Sequence, residues 1–261
     1  MRHRIGLLSA IALLCMLSGR AAEPNLVANG DFDTGSRGQA EAWSRLDGLT
    51  AEWRSQGGRP GGCLHMDTTV LQKDKQAHLA NPEAPVKRSR GGQYETVGAH
   101  EGVWAFAQPV ELRKDDRCFL LEADVKGPAS TRIFHPQILM RGYRPFDPRR
   151  DEGTSSYFQT PHEGGPAYSE QFGKEQREAR KGDFLMVWRK SLVCRLRKDN
   201  AWQHFRVGIK LPGTARFRPD VLLIKPYAMW PLGEYAFDNI TLRRCSEEEY
   251  REARKKGHTA R

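Results

Sequence analysis

Short runs of alternating apolar and polar residues, set between clusters of Gly, Pro and Asp, constrain this chain more than any other feature. The clearest are Glu52–Arg54, Cys63–Thr68, Val103–Leu112, Cys118–Lys126, Ile133–Arg141, Phe184–Leu196, Trp202–Leu211, Val221–Met229 and Tyr235–Arg243. In Cys118–Lys126, Phe119, Leu121, Ala123 and Val125 fall on one side, and Leu120, Glu122 and Asp124 on the other. One face of such a strand enters a core and the other meets a more polar surface. No helical pattern is interleaved with the runs, which favours an all-β sandwich or jelly roll over a βαβ fold. The 261 residues suffice for a proper core, and 38% hydrophobic and 28% charged residues exclude collagen, coiled coil, a multi-pass membrane protein and wholesale disorder.

The first 22 residues predict a signal peptide. Arg2 and Arg4 form a basic start, Ile5 to Leu17 an apolar stretch too short to span a bilayer comfortably, and Ala21-Ala22 a cleavage site. The mature chain is therefore expected to be secreted, periplasmic or held in the cell envelope, with no membrane span. Cys15 leaves with the leader. Cys63, Cys118, Cys194 and Cys245 remain, an even number that in an oxidising compartment predicts two disulfides of undetermined pairing. No CxxC pair is present, which argues against zinc.

The net charge of +10 falls to +7 once Arg2, Arg4 and Arg20 are removed. A basic surface favours polyanions in general, among them acidic polysaccharide, although arginine-rich composition over a solvated surface gives the same balance. Two long loops interrupt the strands, at 72–101 and at 142–182, and the second is expected as an excursion from a sandwich spanning 23–245. Residues 246–261 are expected to form a charged helix or tail, opening on a capping box at Ser246 and Glu249.

The two ends of the mature chain carry the most specific signal. It opens Asn25-Leu-Val-Ala-Asn-Gly-Asp-Phe-Asp-Thr-Gly35, followed by Trp43, and its last strand reads Tyr235-Ala-Phe-Asp-Asn-Ile-Thr-Leu242. This pair resembles the bookends of the jelly-roll carbohydrate-binding modules attached to cellulases and xylanases, in the galactose-binding-like superfamily. Phe106-Ala-Gln-Pro-Val-Glu-Leu112, Phe119-Leu-Leu-Glu-Ala-Asp-Val-Lys126 and Trp202 resemble the family's intervening strands, in order. Asp33 stands where that family usually has glutamate, and Asn239 replaces its second aspartate.

The resemblance implies a jelly-roll β-sandwich and a structural Ca2+ held by Asp33 and Asp238, with Asp31 adding a backbone or side-chain oxygen. Oxygen ligands converging from turn and strand suit that ion; the alternative is that these acids only cap turns. It also implies a carbohydrate partner. Trp188, Tyr227 and Trp230 are the candidates to stack on sugar rings, and Gln137 is the candidate polar contact. Glu122, Asp124 and His135 are further candidates for the polar sheet face, whereas Trp43, Trp104 and Trp202 are expected in the core and Trp53 suits either place.

Catalytic patterns are poor. GxSxG, HExxH, P-loop and dinucleotide fingerprints are absent. Glu122 and Asp124 share one strand face, and glycoside hydrolysis needs such a pair with one pKa raised. The expected function is that of an exported, non-catalytic carbohydrate-binding protein with a poly- or oligosaccharide ligand, acidic ligands included. The alternatives are a glycan-active hydrolase or lyase on the same sandwich, and a module that binds envelope or extracellular proteins. Nucleic acid is not an expected partner.

Overall fold

The computed structural model describes residues 23–45, 51–69, 103–107, 109–145, 147, 180–181, 184–215, 217–228 and 230–255. The leader at 1–22, the loop at 72–101 and nearly all of the excursion at 142–182 lie outside the described residues. The strands are β1 (Gly35–Ser36), β2 (Gln39–Ala40), β3 (Trp43–Arg45), β4 (Ala51–Arg54), β5 (Cys63–Asp67), β6 (Val103–Ala107), β7 (Val110–Glu111), β8 (Cys118–Lys126), β9 (Gln137–Pro145), β10 (Arg180–Lys181), β11 (Phe184–Val193), β12 (Gln203–Lys210), β13 (Val221–Ala228) and β14 (Glu234–Arg244). One helix, α1 (Glu247–Lys255), follows.

A seven-stranded antiparallel sheet runs β10-β11-β9-β13-β6-β3, with β7 also paired to β13. A five-stranded one runs β12-β8-β14-β5-β4. Their facing sides share one apolar core, in which Phe119, Leu121, Ala123 and Val125 of β8 meet Ile138, Met140, Leu222 and Ile224 of the larger sheet. Alternation along β8 thus points its apolar set inward, and the molecule is an all-β sandwich. No helix among the described residues is long and apolar enough to cross a membrane.

The bookend residues owe their places to close backbone approach. Leu26 N–H donates to Leu242 O at 2.8 Å and Ile240 N–H to Gly30 O at 2.7 Å, so the opening segment pairs with β14. A Cβ at Gly30 would collide with the Ile240 carbonyl, which explains the glycine. Asn25 accepts the N–H groups of Val27 and Leu242 at 3.0 and 2.9 Å. Phe32, fully buried at a φ of 53°, packs its ring 4.9 Å from that of Trp43.

Several expectations need correction. The run placed at Ile133–Arg141 begins at Gln137 and continues to Pro145, so the strand enters the segment read as loop from 142. Ile133 and Phe134 lie outside it, 71% and 41% exposed, because Phe134 N–H turns back to Thr131 Oγ1. Val103–Leu112 divides into β6 and β7 around Pro109, which has no N–H to offer. Trp202 is half-buried on the outer side of the five-stranded sheet, with the Lys126 ammonium 5.8 Å from its ring centre, and is not in the core.

The expected disulfides are absent: all four cysteines are free thiols. Cys63 Sγ points at the Gln56 carbonyl, Cys118 Sγ at Glu247 Oε2 and Cys194 Sγ at the Leu192 carbonyl. Burial raises the thiol pKa values, to about 11 for Cys118 and about 12 for Cys245.

Helix α1 closes the small sheet. Glu249 N–H donates to Ser246 Oγ at 3.1 Å and Ser246 N–H to Glu249 Oε2 at 2.9 Å, a reciprocal cap. Tyr250 and Ala253 lie over Gly208 of β12, where an added Cβ would sit 2.9 Å from the Tyr250 carbonyl oxygen.

Candidate functional site

Strand pairing lays the outer face of the seven-stranded sheet out in rows. Gln137 of β9 is opposite Val193 of β11 on one side and Tyr227 of β13 on the other, and Tyr227 is opposite Trp104 of β6. The next row on this face is Ser191, Leu139 and Lys225, and the row after it Arg189, Arg141 and Leu223. The neighbouring residues Ile138, Met140, Leu222 and Ile224 are in the core, which fixes the sign of the alternation. Beyond these rows, Tyr143, Met186 and Leu223 form a small apolar cluster of their own, separate from the core.

The four expected ligand contacts therefore divide. Gln137 and Tyr227 stand side by side on one face, both half-buried. Trp230 lies past the end of β13 in the turn to β14. Trp188 is on the opposite side of the sheet. A bulge between Met186 and Trp188 inserts Val187, which leaves Met186 on the outer face and turns Trp188 inward against Gly142 and the core. The cations of this face, Arg141, Arg189 and Lys225, had no individual signal in the sequence. Only the pairing of β11, β9 and β13 makes neighbours of them.

The outer face of the five-stranded sheet is a network of polar side chains. Asp124 accepts from His204 Nδ1 at 3.0 Å and from Asn239 Nδ2 at 3.0 Å, and Arg59 stands 3.4 Å away. Burial pushes Asp124 up, but the bonds from His204 and Asn239 outweigh it and hold its pKa below the usual carboxylate range. His204 is raised, first by its bond to Asp124. Glu122 pairs with Arg206 at 3.0 Å. A general acid for glycoside cleavage needs a raised carboxyl, so the lowered Asp124 does not suit that task. His135 precedes β9 and is not part of this face; burial lowers its pKa.

Asp33 and Asp238 meet at the loop 58–62. Asp238 is fully buried and accepts the backbone N–H groups of Arg59 and Asn239. Asp33 Oδ1 faces Gly61 so closely that a Cβ there would collide with it, and it accepts Gly62 N–H at 3.5 Å. Asn239, at a φ of 49° in a β14 bulge opposite Asp124, donates to both Asp124 and the Arg59 carbonyl. An aspartate at 239 would add a carboxylate where this chain uses a donor. Burial first, then the charges of Asp124 and Asp33, push Asp238 up to about 6. Asp33 and Asp238 beside this glycine-lined loop are oxygen donors of the kind a hard cation takes. Asp31 is exposed, and its Oδ1 accepts the Asp33 N–H at 3.5 Å. Among the described residues no group of three or more His, Cys, Asp or Glu side chains is gathered for a metal, so backbone oxygens would have to complete the shell.

No family model matches the chain, and no curated protein matches it. Solved structures that align with it include carbohydrate-binding modules and the enzymatically active domain of bacteriophage CBA120 tailspike protein 4, the latter over 85% of this chain and 21% of its own at 13% identity and a TM-score of 0.40. A "Family 16 Carbohydrate Binding Module-2" aligns over 84% of this chain and 99% of its own, at 12% identity and a TM-score of 0.44. TmCBM61, solved in complex with beta-1,4-galactotriose, aligns over 85% and 99% at 11% identity and a TM-score of 0.40. The CBM22-1 xylan-binding domain of Paenibacillus barcinonensis Xyn10C aligns over 85% and 96% at 12% identity and a TM-score of 0.38.

Proposed function

We propose that this chain is an exported, non-catalytic carbohydrate-binding protein that receives a poly- or oligosaccharide on the outer face of its seven-stranded sheet, with a preference for acidic glycans. The observation that carries the reading is the alignment of Gln137 and Tyr227 across β9 and β13, two rows from the paired Arg141 and Arg189. A ring for the apolar side of a sugar, an amide for hydroxyls and guanidinium groups for carboxylate or sulfate then share one face. The basic balance of the chain supports the acidic preference, and the apolar leader supports export. Calcium belongs to the same proposal: Asp33 and Asp238 would hold it, tying the opening segment to β14, with Asp31 in the adjoining turn.

A glycan array read at two salt concentrations, with product analysis of each hit, tests the reading. Salt-sensitive binding without cleavage is the expected outcome. Shorter products would overturn it in favour of a hydrolase or lyase. Silence across neutral and acidic glycans would overturn it in favour of an envelope or extracellular protein partner.

A further inference from the structure

Where β11, β12 and α1 come together, the sandwich leaves a cavity of about 710 Å³. That is the size range of small-molecule sites, roughly 300–1,000 Å³. Its lining is chemically one-sided. Lys190, Lys210 and Arg254 contribute three cations, Trp188, Phe217 and Tyr250 contribute aromatic surface, Arg189 of the outer-face row also borders it, and no Asp or Glu lines it. Lys210 is answered by Glu247 at 2.7 Å, just outside the lining. Lys190 on β11 and Arg254 on the last turn of α1 are both exposed, and neither has a hydrogen bond or ion pair among the described residues.

The local structure explains why these groups converge. Lys190 is opposite Met140, a core residue, so it projects from the inward side of β11 next to Trp188. Gly208 lets α1 settle on β12, which brings Tyr250 and Arg254 to the other wall. Cations gathered without a lining acid repel one another and are relieved by an anion. Aromatic faces beside them add a surface for a ring.

We propose that this cavity is a second ligand site and that it takes a sugar ring bearing a sulfate or carboxylate group, with Lys190 and Arg254 on the anion and Trp188 or Tyr250 against the ring. It lies on the inward side of β11, away from Gln137 and Tyr227, and does not depend on the reading of the outer face.

The test is calorimetric titration of the full mature chain with glucose 6-sulfate and with glucuronate, alongside glucose and sodium sulfate. At least one of the two charged sugars should bind at least tenfold more tightly than glucose or sodium sulfate. Lys190→Gln and Arg254→Gln should each weaken that binding about tenfold, the usual size of one charge-assisted hydrogen bond. The charge-matched control Lys198→Gln, on a surface outside the cavity, should leave it unchanged. Failure of both charged sugars to bind overturns the proposal. So does sodium sulfate binding as tightly as the sugars, or affinity indifferent to K190Q and R254Q in variants that keep the wild-type melting temperature.

Discussion

In chelator, the protein should lose stability as pH rises from about 4 to about 6, and Asp238 is the reason. Its carboxyl is fully buried, and burial together with Asp124 and Asp33 pushes its pKa from 3.8 to about 6. In the unfolded chain it titrates at about 3.9. Below that pH it is protonated in both states. Between about 4 and 6 the unfolded chain gives up this proton while the folded one retains it, so stability falls by about 3 kcal/mol. For a chain of this size that is roughly 6–12 °C in Tm. Lowered His135, Glu247 and Glu249 add stability as pH rises toward their ordinary values and oppose this decline, so the Asp238 contribution is read as the difference between wild type and Asp238→Asn. Asp116 and Asp124 are held low, so their contribution is lost only as pH falls below about 4. His204 is raised, so its contribution is lost only as pH rises above about 6.5. At the proposed calcium site an ion on the ionised Asp238 would take the place of the proton, and saturating calcium should flatten the decline and raise stability at pH 7 by about 3 kcal/mol at a hundred times Kd. The assay is denaturant unfolding at half-unit pH steps, in chelator and in calcium, on wild type and Asp238→Asn. The variant should show no decline between pH 4 and 6, whatever its absolute stability, since its amide cannot accept both backbone N–H groups. A wild-type profile in chelator that does not fall relative to that of Asp238→Asn across that window would refute the reasoning. Identical profiles with and without calcium would refute the metal site.

Three further perturbations follow from the packing. Asp116 holds Arg244 through contacts of 2.6 and 3.1 Å with both side chains largely buried, so Asp116→Ala should cost about 3–5 kcal/mol by leaving the guanidinium unpaired; urea unfolding measures it. Gly208→Ala should lift α1 from β12 and cost about 1–3 kcal/mol, with faster amide exchange confined first to 247–255. Trp53→Phe should cost about 1–3 kcal/mol in the same urea assay, because Trp53 Nε1 donates to the Phe32 carbonyl at 2.7 Å and that acceptor would be left without it.

Much of the fold was legible because a two-residue period is a local property. The apolar set of β8 needed no tertiary information, and the bookend motif carried its own steric logic in Asn25 and Gly30. What escaped depends on events between strands. The bulge at Val187 reverses the side on which Trp188 falls, and nothing in Phe184–Arg189 announces it. Trp202 continues the outward series of His204 and Arg206, but an apolar ring read by composition looks like core. The cysteine count suggested bridges, whereas each of Cys63, Cys118 and Cys194 has its own hydrogen-bond acceptor. The arginines of the outer face became neighbours only through cross-strand register. Asp33 and Asp238, far apart in sequence, were brought to one loop as the chain ends suggested, while the contribution of Gly61 and Arg59 came from a turn with no motif of its own.

Whether the outer face of the seven-stranded sheet holds the glycan is decided by titrating wild type, Gln137→Ala and Tyr227→Ala with the polysaccharide that binds most tightly in the array. Loss of the Tyr227 ring and of the Gln137 amide should each weaken binding by about 1 kcal/mol, roughly fivefold, with the melting temperature unchanged. Wild-type affinity in both variants would contradict it.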